Sequence, residues 1–235
     1  MKIDYCTWDS SFFNKKIGKI EYDQSPEGDL IQLLKTAREE GYQLIYVFGD
    51  EETFVPDTVL NQFNGQLVDR KCLYSKTINA DDSCESNAIE YQLTELTHDL
   101  ESLALLSGAH SRFRLDKGFD KADFYRLYAI WINRSLKKEI ADKIFVVAES
   151  DKVMGMITMK INEEVGHIGL CAVSEVAQGK GYGGNLIKAC VNDILSKKVY
   201  QLEVPTQMDN ISACRFYEKC GFSIQSITNT YHFWL

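Results

Sequence analysis

Residues 178–184 read QGKGYGG and carry the densest chemical signal in the chain. Glycines let backbone amides approach a ligand closely and adopt unusual φ. Amides converging at a helix N-terminus suit a pyrophosphate. From Gly179 the run matches G-x-G-x-x-G, and Glu203 follows where a ribose-binding carboxylate would stand. A dinucleotide fold, however, needs its glycines directly at the end of a buried strand and at the start of the domain. Here the strand-like HIGLCAV ends near Val173 and the polar SEVAQ intervenes. Hairpin-like strands precede the loop, and only about fifty residues follow, too few for the βα units required. No G-K-[ST] follows, which excludes a P-loop. What remains is a pyrophosphate-binding loop of another kind, built from Gln178, Gly179, Lys180, Gly181, Tyr182, Gly183 and Gly184.

Other residues could do chemistry. In NISACRFYEKCGF, residues 210–222, Tyr217 lies seven residues after Asn210, two turns along one helix face. Read by itself, Tyr217 is an aromatic packing residue beside Phe216 with a phenol of pKa near 10. Glu203, near a strand end, could take a proton directly or through water, or be a solvated carboxylate. In HSRFRLDKGF, residues 110–119, Arg112 and Arg114 alternate with apolar residues, as in a loop offering two guanidinium groups to a phosphate. The alternative for them is an ion pair with Asp116. Cys171 could suggest a covalent intermediate, but within an apolar strand it reads as a packed thiol. The seven cysteines form no C-x-x-C and the four histidines do not pair with them at finger spacing, so no metal site is expected.

The elements that must position these residues fall into two segments. Residues 1–78 hold the strands KKIGKIEYD, QLIYVFG and QLVDRKCLYSKTI, a helix over Gly28–Gly41 and a short helix over Pro56–Phe63. Residues 79–87, NADDSCESN, are polar and aperiodic and read as a linker. Residues 88–235 begin with amphipathic helices over Thr94–Ser107, capped by Thr94, and Asp120–Leu136. Strands KIFVVAE, KVMGMITMKI and HIGLCAV follow, the first two joined by the tight turn SDK. Then come the glycine loop, a helix from Gly183 to about Lys197, the strand YQLEV, a helix over Asn210–Cys220, and strands FSIQS and TYHFWL. The last strand could be a sheet edge open to a second subunit, giving a homodimer, or part of the core.

Two motifs in this order carry a family resemblance. Val173 to Gly183 reads V-x-x-x-x-Q-x-x-G-x-G, and residues 210–222 read N-x-x-A-x-x-F-Y-x-x-x-G-F. Together they resemble the GNAT acyltransferase superfamily. The resemblance implies an α/β (α+β) fold, with a mixed, mostly antiparallel sheet flanked by helices, preceded here by a smaller α/β N-terminal domain. It implies acetyl-CoA as co-substrate. Cys171, Ala172 and Val173 would pair with the pantetheine arm like an added strand. Gln178–Gly184 would cradle the pyrophosphate, Asn210 would reach the pantetheine, and Tyr217 would protonate the departing thiolate. A closer resemblance, through WDSSFFNKKIGKI, SRFR with FYRLYAIWINRSL, and EVPTQMDNISACRFYEKCGFSIQSITNTYHFWL, is to the dTDP-fucosamine acetyltransferase family. It implies that the acceptor is the amine of a nucleotide-linked sugar such as dTDP-4-amino-4,6-dideoxygalactose. A polyamine, an antibiotic amine or a protein N-terminus keeps the chemistry and changes the acceptor; a non-catalytic CoA-binding module keeps only the ligand.

Composition narrows the partners. Net charge is −8 and spread along the chain, which argues against nucleic acid, a partner that needs a clustered basic face. No apolar run suits a membrane span, and MKIDYCTWDSSFF has no signal-peptide pattern, so a cytoplasmic protein with reduced thiols is expected.

Overall fold

A computed structural model describes all residues, 1–235. The first segment contains β1 (Asp4–Tyr5), α1 (Thr7–Phe13), β2 (Ile17–Glu21), α2 (Glu27–Glu39), β3 (Leu44–Asp50), α3 (Asp57–Phe63) and β4 (Gly65–Thr77). The second contains β5 (Ile89–Glu90), α4 (His98–Ser107), α5 (Arg112–Leu115), α6 (Lys121–Leu136), β6 (Lys143–Glu149), β7 (Lys152–Asn162), β8 (Val165–Val173), α7 (Tyr182–Ser196), β9 (Gln201–Gln207), α8 (Ile211–Lys219) and β10 (Ser223–Trp234).

The apolar spacing dictates the packing. In α2, Leu30, Leu34 and Ala37 fall on one helical stripe and are buried against Ile20, Ile45 and Val47 of β2 and β3. In α7, Leu186, Ile187, Cys190, Val191 and Ile194 do the same against β4 and β6–β9. Helices α4 and α6 cover the opposite face of β6–β8 through Leu100, Leu103, Phe124, Leu127 and Ile132.

All ten strands form one sheet, in the order β1-β2-β3-β10-β4-β9-β8-β7-β6-β5. The long β4 lies between β9 and β10, antiparallel to both. Thus the first segment contributes the strand that joins the two C-terminal strands. Residues 79–87 are held rather than loose: Asn192 accepts from the Ser83 hydroxyl and the Cys84 amide and donates to the Cys84 carbonyl, while Ser86 donates to the Asn185 carbonyl.

Several elements differ from the sequence reading. The first helix of the second segment starts at His98 with Thr97, not Thr94, as the cap; the Thr97 side chain accepts from the Leu100 amide. FSIQS and TYHFWL are one strand, β10, whose register shifts at two points let it follow β4 without breaking. That strand is central, hydrogen-bonded to β3 and β4, so it offers no edge to another subunit; the sheet edges are β1 and β5. The segment around Arg112 is a one-turn helix, not a loop.

The register of the first four strands builds a floor. Glu21, Phe48, Thr230 and Asp69 stand in one row across β2, β3, β10 and β4. The next row holds Thr228, Lys71 and Gln207; the row on the other side holds Lys19, Tyr46 and His232.

Candidate active site

Strands β8 and β9 are parallel neighbours, but they pair only over Val165–His167 and Gln201–Glu203. Beyond that they separate. A bulge in β8 starts the divergence: Gly169 and Leu170 together oppose Thr158 of β7, whose hydroxyl accepts from the Leu170 amide at 2.8 Å. A Cβ on Gly169 would meet that hydroxyl at 2.8 Å, so the position needs glycine. On β9, Pro205 brings no amide proton to the gap. The result is a cleft in which the β9-facing edge of Ile168–Val173 has no strand partner.

Two cavities open from this cleft. One, of about 720 Å³, runs beside α7 and is lined by Cys171, Ala172, Val173, Gln178, Gly179, Gly181, Tyr182, Gly183 and Gly184, with Asn210 and Phe216 of the α8 segment. The other, of about 620 Å³, lies over the sheet floor under α5 and takes in Lys19, Glu21, Phe48, Asp69, Lys71, Arg112, Thr228 and Thr230. They meet at Ser107, Cys171, Asn210, Ala213 and Tyr217, which line both.

The glycine loop is built as its physics requires. Gly179 and Gly181 have φ of +79° and +82°, conformations that side chains resist. Gly181 is the N-cap of α7, which begins at Tyr182, one residue before the expected Gly183. The amides of residues 179–184 donate to no protein acceptor, and they stand at the positive end of a fifteen-residue helix beside the cavity. A Cβ on Gly183 would strike the Phe216 ring at 2.9 Å, so this glycine lets α7 and α8 touch. Lys180 does not line the cavity; its ammonium pairs at 2.9 Å with Glu149, which also accepts from the Tyr182 hydroxyl.

Tyr217 sits at the junction, buried between the rings of Tyr74, Phe216 and Phe222. Burial, reinforced by the Cys171, Cys220 and Cys190 thiols, pushes its phenol well above 10. It stays protonated at neutral pH. Burial also lifts the Cys171 thiol to about 11, so almost no thiolate forms there and a covalent cysteine route has no nucleophile. Asn210 caps α8, its side-chain oxygen accepting from the Ala213 amide at 3.2 Å, which leaves its NH₂ toward the cavities.

The remaining candidates separate. Arg112 lines the second cavity, its guanidinium 4.4 Å from the Tyr46 ring centroid. Arg114 lies over Phe124 at 5.8 Å, outside both cavities. In a loop their alternation would aim them together; in a helix, residues two apart point to opposite sides. Glu203 shares the face of Pro205 and Gln207 but stands below the cleft, outside both cavities, with His167 at 3.4 Å. Asp69, which the sequence did not single out, is buried on the cavity floor with one carboxylate oxygen unpartnered. Burial raises its pKa to about 6 against the pull of Arg112 and Lys71. Nothing local marks it: it is one charge in the alternating strand QLVDRKCLY, and its neighbours come from α5 and the last residues of the chain.

Comparison with known proteins bears on the family and the fold. The model of the Acetyltransferase (GNAT) family matches residues 106–222. The chain carries a GNAT acetyltransferase domain. A dTDP-fucosamine acetyltransferase from Escherichia coli O6:H1 is 28% identical over 60% of this chain and 61% of its own length. A streptothricin acetyltransferase from Escherichia coli is 36% identical over 55 residues, 23% of this chain and 32% of that one. The chain thus spans less than two thirds of either relative. A GCN5-related N-acetyltransferase structure from Sphaerobacter thermophilus superposes with a TM-score of 0.60 over 98% of this chain and 75% of that one, at 12% identity. A conserved protein of unknown function from Staphylococcus epidermidis gives 0.61 over 94% and 84%, also at 12%. In both, the likeness of fold extends across both segments of the chain.

Proposed function

We propose that the chain moves an acetyl group from acetyl-CoA, held in the cavity beside α7, to the amine of a small acceptor held over the sheet floor. The observation that carries this is the meeting of two cavities at Tyr217 and Cys171. One is shaped for a thioester arm, with a free strand edge and a cradle of unpaired amides; the other is polar and walled by charge. The acceptor nitrogen, as the neutral amine, attacks the thioester carbonyl. The carbon–sulfur bond breaks, and the Tyr217 phenol gives its proton to the departing thiolate. The proton lost by the amine passes to Asp69, directly or through water. A carboxylate of pKa about 6 is ionised at neutral pH yet basic enough to hold that proton. Asp69 replaces Glu203 in this role, because Glu203 lies outside both cavities.

The acceptor we favour is a nucleotide-linked amino sugar such as dTDP-4-amino-4,6-dideoxygalactose. Support comes from the dTDP-fucosamine acetyltransferase relative and from Lys19, Lys71 and Arg112 around the second cavity, which suit an anionic diphosphate. The streptothricin acetyltransferase relative supports a second reading, an antibiotic amine. In either reading residues 88–235 hold the thioester arm and Tyr217, while residues 1–78 supply Asp69 and share the wall of the acceptor site with Arg112, Thr228 and Thr230. The test is thiol release from acetyl-CoA with a panel of amino-sugar nucleotides, streptothricin-type amines and polyamines. Release with the sugar nucleotide alone is expected. Release only with the others would replace the acceptor, and release with none would sink the acceptor assignment.

A further inference from the structure

Arg112 projects from a helix of only four residues, too short to hold its own direction. Something else must fix it. At its start, the buried Ser111 caps the Phe113 amide. At its end stands Asp116, whose carboxylate accepts three hydrogen bonds: one oxygen accepts from the Gly118 amide at 2.9 Å, the other from His232 Nδ1 at 2.5 Å and Trp234 Nε1 at 3.0 Å. His232 is fully buried on β10, and its Nε2 has no partner. Its ring also packs on Tyr46 at 4.8 Å, and Tyr46 carries the Arg112 guanidinium on its other neighbourly contact at 4.4 Å. His232 therefore reaches Arg112 by two routes, through the helix end and through the ring on which the guanidinium rests.

We propose that His232, locked by Asp116, is the positioning residue that aims Arg112 into the acceptor cavity. The inference rests on reading that cavity as the acceptor site. A buried imidazole with one nitrogen bare is costly. Its retention in the row next to the cavity floor is explained by the direction it gives to Arg112, where an apolar residue would fill the space without the bond. Burial keeps the imidazole neutral, so Nδ1 is the donor and the Asp116 carboxylate the acceptor.

The test has a kinetic arm and a ligand-free arm. His232→Leu should raise the KM for dTDP-4-amino-4,6-dideoxygalactose about tenfold or more while leaving the KM for acetyl-CoA within about twofold. His232→Asn, which offers an amide N–H near the Nδ1 position, should restore most of the loss. In an Arg112→Ala background, His232→Leu should add nothing. Asp116→Ala should give the same split if His232→Leu does not fold. Hydrogen exchange on the unliganded protein reads the anchoring whatever the acceptor is: His232→Leu should speed exchange of the Asp116 and Gly118 amides about tenfold and leave β8 unchanged. Unchanged exchange, an equal rise in both KM values, or an additive effect on Arg112→Ala would overturn the proposal. Faster exchange with no turnover of any sugar nucleotide would uphold the positioning and reject the acceptor.

Discussion

In the proposed mechanism Tyr217 gives up its proton only when a thiolate forms, and the burial around it holds the proton until then. Tyr217→Phe keeps the ring and removes the proton; kcat should fall about 100-fold or more, as for other general acids, with acetyl-CoA affinity unchanged by calorimetry. Asp69 works against the fold that holds it. Its pKa is raised from 3.8 to about 6, so its contribution to stability is intact below pH 3.8 and is lost as pH rises through 6. At pH 8 that loss is up to about 3 kcal/mol. Asp69→Asn should therefore raise the melting temperature at pH 8, lose that advantage at pH 4, and abolish the limb of kcat that rises through about pH 6. A variant no more stable than the parent at pH 8 would contradict the burial argument. Tyr217 and Asn210 were legible in the sequence because a helix brings residues seven apart onto one face. Asp69 was not, because its environment includes Arg112 of α5 and Thr230 of β10, which the sequence does not place beside it.

At the scale of elements, local rules worked where local forces decide. The helix α7, with its apolar stripe, and the hairpin of β6 and β7, turned by Ser150 and Asp151 at positive φ, follow from residues adjacent in the chain. The single strand β10 was misread as two because its bulges interrupt the alternation that marks a strand, and α5 because one turn leaves no periodicity to detect. The glycine loop shows the same locality. Gly181 adopts a left-handed conformation, which an alanine resists by about 1–2 kcal/mol. Gly181→Ala should rotate the adjoining amides away from their common focus. The KM for acetyl-CoA should rise severalfold while the KM for the acceptor holds, measured by varying each substrate in turn. An equal effect on both would mean that the loop serves the whole site rather than the pyrophosphate.

For the whole molecule, the family pattern stops at Phe222, yet the cavity floor draws on Lys19, Asp69, Lys71, Thr228 and Thr230, all outside the matched residues 106–222. On the proposed reading, the floor of the acceptor site thus comes from the first segment and the chain end, while the matched region supplies Arg112, the thioester cavity and Tyr217. The two segments, legible as separate stretches by composition, share one sheet because β4 fills the gap between β9 and β10. Its Cys72 and Tyr74, and Ile78 just after it, are buried in the same core as Leu202, Val204 and Ile227. Full burial of such side chains contributes about 1.5–3 kcal/mol each, a large share of the 5–15 kcal/mol that holds a domain folded. A chain beginning at residue 88 loses these contacts and leaves β9 and β10 with open edges, which favour aggregation. It should be insoluble or lack a cooperative transition, and the full chain should unfold in urea as one unit by both circular dichroism and tryptophan fluorescence. The two probes report different places, since Trp8, Trp131 and Trp234 all lie outside the core around α7. Two separated transitions, or a soluble and cooperatively folded fragment, would show that β4 decorates the acetyltransferase sheet rather than completing it.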